Sequence, residues 1–225
     1  MKLVPHALVV ALLSVALVPP AHAAMQTATG LSLGLDGGMG AQGSVTAYDF
    51  AEGFPFSARA SVGLLQADAG DPLLARQVFV NNNTNGTPQT TARRWDLRLD
   101  LRRQIHGPSR LQGAWAYFGP RYSMYRATYT YVGGNEVFDV TTNQWGVGGG
   151  FETLYPMGGV INLSIDFGLD AYANGDFVGH DSVYSPSNAN TNPKGTFTYA
   201  SADQAVNQPR LAPRFMVGIT KRLGR

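Results

Sequence analysis

Positions 93 to 103 read RRWDLRLDLRR, with a charged residue at every second place and a bulky apolar side chain at most of the places between. On a helix, Trp95, Leu97, Leu99 and Leu101 would scatter around the cylinder. The same helix would set Arg94, Arg98 and Arg102 four residues apart, and Asp96 four from Asp100, which are repulsive spacings. On a strand the four apolar side chains share one face, while Asp96, Arg98, Asp100 and Arg102 alternate in sign along the other. The segment is therefore read as a strand, and each of its two faces needs a different environment.

The same period of two recurs along the chain. Ile161, Leu163, Ile165, Phe167 and Leu169 oppose Asn162, Ser164, Asp166, Gly168 and Asp170 within 158–173. Phe215, Val217 and Ile219 oppose Arg214, Met216, Gly218, Thr220 and Arg222, and Val62 and Leu64 oppose Arg59, Ser61 and Gly63. Leu31, Leu33 and Leu35 oppose Ser32, Gly34 and Asp36. Shorter runs at 43–50, 111–118 and 144–153 bring the expected count to eight strands. In the run 111–118, Leu111, Trp115 and Tyr117 are assigned to the apolar side, with Ala114 and Ala116 opposite.

With 225 residues, 44% of them hydrophobic and 14% charged, one domain is expected. A net charge of +2 and the lack of a basic run with interleaved aromatics exclude a nucleic-acid partner. No cysteine occurs, so no disulfide or thiolate metal site can form. The start, MKLVPHALVVALLSVALVPPAHA, has Lys2, an apolar run from Ala7 to Val18, and Ala21 and Ala23 at small-residue spacing. Residues 1–23 are read as a cleaved signal peptide and 24–225 as the mature domain. No later stretch is apolar for long enough to cross a membrane as a helix, so a membrane protein built from this chain must be a closed barrel.

The connections are uneven. Those after the second, fourth and sixth strands are short, whereas 66–92 and 174–209 are long and polar, and 126–142 extends the fifth and sixth strands as a tall hairpin turning at Gly133 and Gly134. An even strand count with long loops at one end and short turns at the other resembles the small outer-membrane barrels of the OmpA, OmpX and OmpW type, over 24–225. The resemblance is architectural and rests on no family motif. It implies an all-β, eight-stranded antiparallel up-and-down transmembrane barrel in the cell outer membrane, a monomer with the lipid bilayer as its partner. Such barrels usually finish on an aromatic residue, whereas this chain finishes ITKRLGR.

Lipid outside the barrel turns the apolar faces outward and the charges into the lumen. The expected lumen network comprises Arg59, Arg94, Asp96, Arg98, Asp100, Arg102, Glu152, Asp166, Asp170, Arg214 and Arg222, paired because buried charge is tolerable only when compensated. Ala114, Ala116, Gly146, Gly148 and Gly150 are expected to make room for it. Asp170 and Arg214 are expected to pair across adjacent strands, and Trp95, Trp115 and Trp145 to form an interfacial aromatic girdle.

No cofactor, metal site or catalytic centre is expected. His106 falls in a short turn, and the consecutive side chains of His180, Asp181 and Ser182 point apart instead of forming a relay. Asp170, Asp176 and Asp181 match no calcium-loop spacing, and the sequons at 82–84 and 85–87 are common by chance in Asn-rich loops. The function expected is a structural or surface-interaction role through loops 66–92 and 174–209, where an extracellular ligand would dock. The alternatives are a narrow solute or ion pore, a lipid A-modifying enzyme and a soluble lipocalin-like carrier.

Overall fold

The computed structural model describes residues 25–49, 53–105 and 113–223. The signal segment 1–23 and His106 lie outside the described residues. In chain order the elements are β1 (Gln26–Asp36), β2 (Met39–Tyr48), β3 (Phe56–Ala67), α1 (Pro72–Phe79), β4 (Thr87–Ile105), β5 (Gly113–Val132), β6 (Glu136–Gly158), β7 (Ile161–Tyr172), the two-residue strands β8 (Phe177–Val178) and β9 (Val183–Tyr184), α2 (Tyr199–Ala205) and β10 (Leu211–Leu223). Eight long strands pair antiparallel with their sequence neighbours, and β10 closes the ring on β1. This is the eight-stranded up-and-down barrel. β8 and β9 hang from β6 outside the ring.

Following the register once around from Thr27, through Ala47, Ala58, Leu101, Phe118, Gly149, Leu169 and Pro213, leads to Gly37, whose N–H bonds the Pro213 carbonyl at 3.3 Å. The path returns to β1 ten residues from its start, at Gly37 instead of Thr27. For eight strands that stagger corresponds to a tilt of about 40° and an interior only wide enough for side chains. Every strand then has one face outside and one in the lumen. Leu33, Leu99, Phe151, Phe167 and Ile219 point outward and are about half exposed, while Arg59, Asp100, Arg121 and Asp170 point inward and are buried.

β5 reverses the expected facing. Trp115, Tyr117 and Gly119 point into the barrel and Phe118 points out, so by alternation Ala114 and Ala116 lie on the outer face. Trp115 and Tyr117 are amphipathic, and their rings carry arginines in the lumen, which an apolar-outward reading of the strand cannot anticipate.

At the long-loop end the segments read as polar loops fold into a cap. β4 begins at Thr87, so β4, β5 and β6 rise together as a three-stranded wall. Its inner face, with Ala92, Tyr125, Ala127, Tyr129, Tyr131, Phe138 and Val140, packs against Val78 and Phe79 of α1, Phe177, Tyr184, and Ala202 and Ala205 of α2. α1 starts where Asp71 Oδ1 accepts from Leu73 N at 2.9 Å and Leu74 N at 3.2 Å, with Pro72 at its first position. Tyrosines then fasten the loop to the wall. Tyr125 donates to the Asp68 carbonyl at 2.6 Å, Tyr129 to that of Ala69, Tyr131 to that of Pro72, and Tyr184 to that of Val78 at 2.9 Å. Burial pushes the Tyr129 phenol well above the ordinary tyrosine range, which keeps it a donor.

Phe79 is fully buried and meets Tyr184 edge-on at 5.4 Å. Phe79→Ala should weaken cap docking by about 3 to 5 kcal/mol. Hydrogen exchange should accelerate across 72–79 and 199–205 while the lumen strands stay protected, and unchanged cap protection would refute the packing role.

Candidate functional site

The lumen gathers six arginines (Arg59, Arg94, Arg98, Arg102, Arg121 and Arg214) and six carboxylates (Asp36, Asp96, Asp100, Glu152, Asp166 and Asp170), all buried. Their formal charges cancel. At the short-turn end Arg102 pairs with Glu152 and stands over the rings of Trp115 at 5.0 Å and Tyr48 at 5.8 Å. In the middle, Arg59 reaches Asp100 at 2.9 Å, Asp166 at 3.2 Å and Glu152 at 3.3 Å. Arg121 bridges Asp100 at 2.8 Å and Asp170 at 2.7 Å. Toward the cap, Arg98 holds Asp170 at 2.9 Å, Gln42 Oε1 at 2.7 Å and Asp36, and Arg94 holds Asp96 at 2.8 Å and Asp36 at 3.3 Å. The contacts run without a break from one end to the other. Asp100 and Asp170 are 0% exposed and Arg121 is 1% exposed, so solvent does not reach the middle layer.

Tyr117 is the hub. Its hydroxyl donates to Asp166 Oδ1 at 2.8 Å and accepts from Arg214, while the guanidinium groups of Arg59 and Arg214 stand over its ring, 4.6 and 5.1 Å from the centroid. Glycines create the space around it. A Cβ on Gly150 or Gly168 would strike the Tyr117 hydroxyl, and one on Gly148 would strike Asp170 and Arg121.

Two expected lumen features are corrected. Arg222 is exposed at the short-turn rim, because the inward face of β10 runs past the end of the packed interior there. Asp170 and Arg214 are both buried but do not pair. Asp170 stands opposite Ala212, and Arg214 stands opposite Gly168 and meets Asp166 at 3.1 Å. Trp95 and Trp145 are outward, 47% and 67% exposed, whereas Trp115 belongs to the lumen.

Arg121 and Asp36 are the charges that sequence reasoning left out of the network. Arg121 was legible as the inward partner of Tyr117, Gly119, Ser123 and Tyr125, but Gly119 and Pro120 look like a break in the strand. Asp36 was already on the polar face of β1.

Above Arg94 a cavity of roughly 380 Å³ opens between Gly37, Asp68 and the 203–211 segment. Its acids already have partners: Asn207 Nδ2 donates to Asp68 at 3.0 Å, and Gln208 Nε2 at 2.8 Å and Arg210 donate to Asp203. In the cap, His180 is exposed while Ser182 is 1% exposed, so the two side chains form no relay. Asp181 pairs with Lys194 at 3.0 Å.

No protein-family model and no curated protein matches the chain. Among solved structures it is similar to a major outer membrane protein from Thermus thermophilus, with a TM-score of 0.71 and 24% identity over 89% of this chain and 100% of that one. It also aligns with Acinetobacter baumannii CarO, with a TM-score of 0.42 and 13% identity over 92% and 99% of the two chains. The first likeness shows that the fold is that of a small outer-membrane β-barrel. The second is too distant to carry an argument.

Asp170 binds two buried arginines, so Asp170→Ala should cost about 3 to 5 kcal/mol in a urea folding titration. Arg222→Ala, at the exposed rim, should stay within about 0.5 kcal/mol of the parent. Equal effects would contradict the placement of the two residues.

Proposed function

We propose that the chain is an integral outer-membrane barrel that does not conduct. Its role is to hold a rigid folded cap outside the lipid as a structural or surface-interaction element. The observation that carries this reading is an apolar outer face combined with a packed, charge-neutral interior. A soluble carrier needs the reverse arrangement, with its apolar faces turned toward a ligand cavity. A pore needs water along its axis, and the middle layer of this lumen is dry. Export would use residues 1–23. Similarity to the Thermus major outer membrane protein supports the same location. A closed ring leaves no free strand edge in the barrel, which suits a monomer. The arrangement of His180 and Ser182 offers no support for a lipid-modifying enzyme, and the cap surface is where an extracellular ligand would dock.

Leu99 lies midway along the outward run of β4, half exposed. Leu99→Arg should destabilise a lipid-embedded barrel by about 2 to 4 kcal/mol. The purified protein should shift in gel mobility on boiling and give no large, stable channels in planar bilayers. A neutral Leu99→Arg together with recovery of the protein without detergent would overturn the membrane reading. Large steady conductance would overturn the closed lumen alone.

A further inference from the structure

The outward face of β4 is bracketed by two arginines, with Arg93 above Trp95 and Arg103 below Leu101. Ten residues separate Arg93 from Arg103, about 33 Å along a strand and about 25 Å along the barrel axis at the tilt above. That matches the height of a bilayer-spanning apolar band. Arg93 is therefore placed at one lipid headgroup level, on the cap side.

At that level Arg93 stands directly opposite Arg126 of β5, and both are exposed. Like charges facing across a ladder repel. The lumen contains a second rung of the same kind, Arg98 opposite Arg121, and there Asp170 binds both guanidinium groups, at 2.9 and 2.7 Å. On the outer rung Asp139 pairs with Arg126, and among the described residues no carboxylate bridges the two arginines and Arg93 has no ion pair. Just below, Trp95 and Trp145 are exposed, and Trp145 packs against Tyr122 at 4.8 Å. Such amphipathic rings suit the boundary between acyl chains and headgroups.

We infer that Arg93 and Arg126 form an external site for a lipid headgroup phosphate, taking on the outer rung the place that the Asp170 carboxylate takes on the inner one, with the lipid's chains lying along Trp95, Trp145 and Tyr122. Guanidinium groups bind phosphate oxygens with parallel, charge-assisted hydrogen bonds. Asp139 competes for Arg126 and so limits the affinity. The inference rests on the membrane reading.

The test is native mass spectrometry of the full-length folded protein in detergent, offered phosphatidic acid or phosphatidylcholine with the same acyl chains. The parent should retain phosphatidic acid roughly tenfold more strongly. Arg93→Gln combined with Arg126→Gln should bring the two lipids within about twofold of one another, and Asp139→Asn should strengthen phosphatidic acid binding, which a merely structural role would not do. A parent indifferent to headgroup, or a preference that survives the double substitution, would overturn the site. Displacement of phosphatidic acid by millimolar inorganic phosphate would assign it to a free anion and overturn the lipid assignment. The boiling-dependent gel shift on the same samples separates the two levels: with the shift intact, headgroup indifference defeats only the lipid site, whereas loss of the shift defeats the membrane reading and the site together.

Discussion

The lumen of this barrel is organised by a requirement that follows from its width. With eight strands and a stagger of ten residues there is no room for a hydration shell around each charge, so every arginine must find its counter-charge among the neighbouring strands. Asp170 shows how tightly this is drawn. It comes from β7, lies against Gly148 of β6, and serves Arg98 of β4 and Arg121 of β5. Lumen contacts therefore tie together strands that are not adjacent in the ladder. Closure of the ring and neutrality of the interior are mutually dependent: the stagger sets which charges meet, and their meeting cancels the charge of the interior.

Arginine suits this interior better than lysine would. Its planar group forms several bonds in one plane and stacks on rings, as Arg59 and Arg214 do on Tyr117. The chain has three lysines, and the two among the described residues, Lys194 and Lys221, lie outside the network. Glycine at 148, 150 and 168 complements the arginines by giving up volume where the large side chains cross.

Much of this was legible because both faces of most strands are extreme. In β4, β7 and β10 the alternation of leucine, isoleucine or phenylalanine with charge or glycine leaves one reasonable assignment of sides. Legibility failed where residues are ambivalent. Trp115 and Tyr117 count as apolar in a pattern, yet their rings serve guanidinium groups inside, so alternation alone inverts the facing of β5 and hides Arg121. The Asp170–Arg214 pairing failed for a geometric reason, since tilt carries long side chains diagonally past the residue opposite. In the cap, Asp71 followed by Pro72 was a readable helix start hidden within a polar stretch. The docking of α1 on β5 depended on contacts between distant segments, which local pattern does not encode.

The tyrosine ladder has a consequence for how the cap can change over time. Tyr125, Tyr129, Tyr131 and Tyr184 hold main-chain oxygens of residues 68, 69, 72 and 78. Every amino acid supplies that acceptor, so these four anchor points do not specify which side chain is displayed. Exposed positions such as Leu73 and Gln77 can be exchanged while the segment keeps its seat on the wall. A surface built this way separates shape from identity, so its chemistry can be rewritten without rebuilding its scaffold.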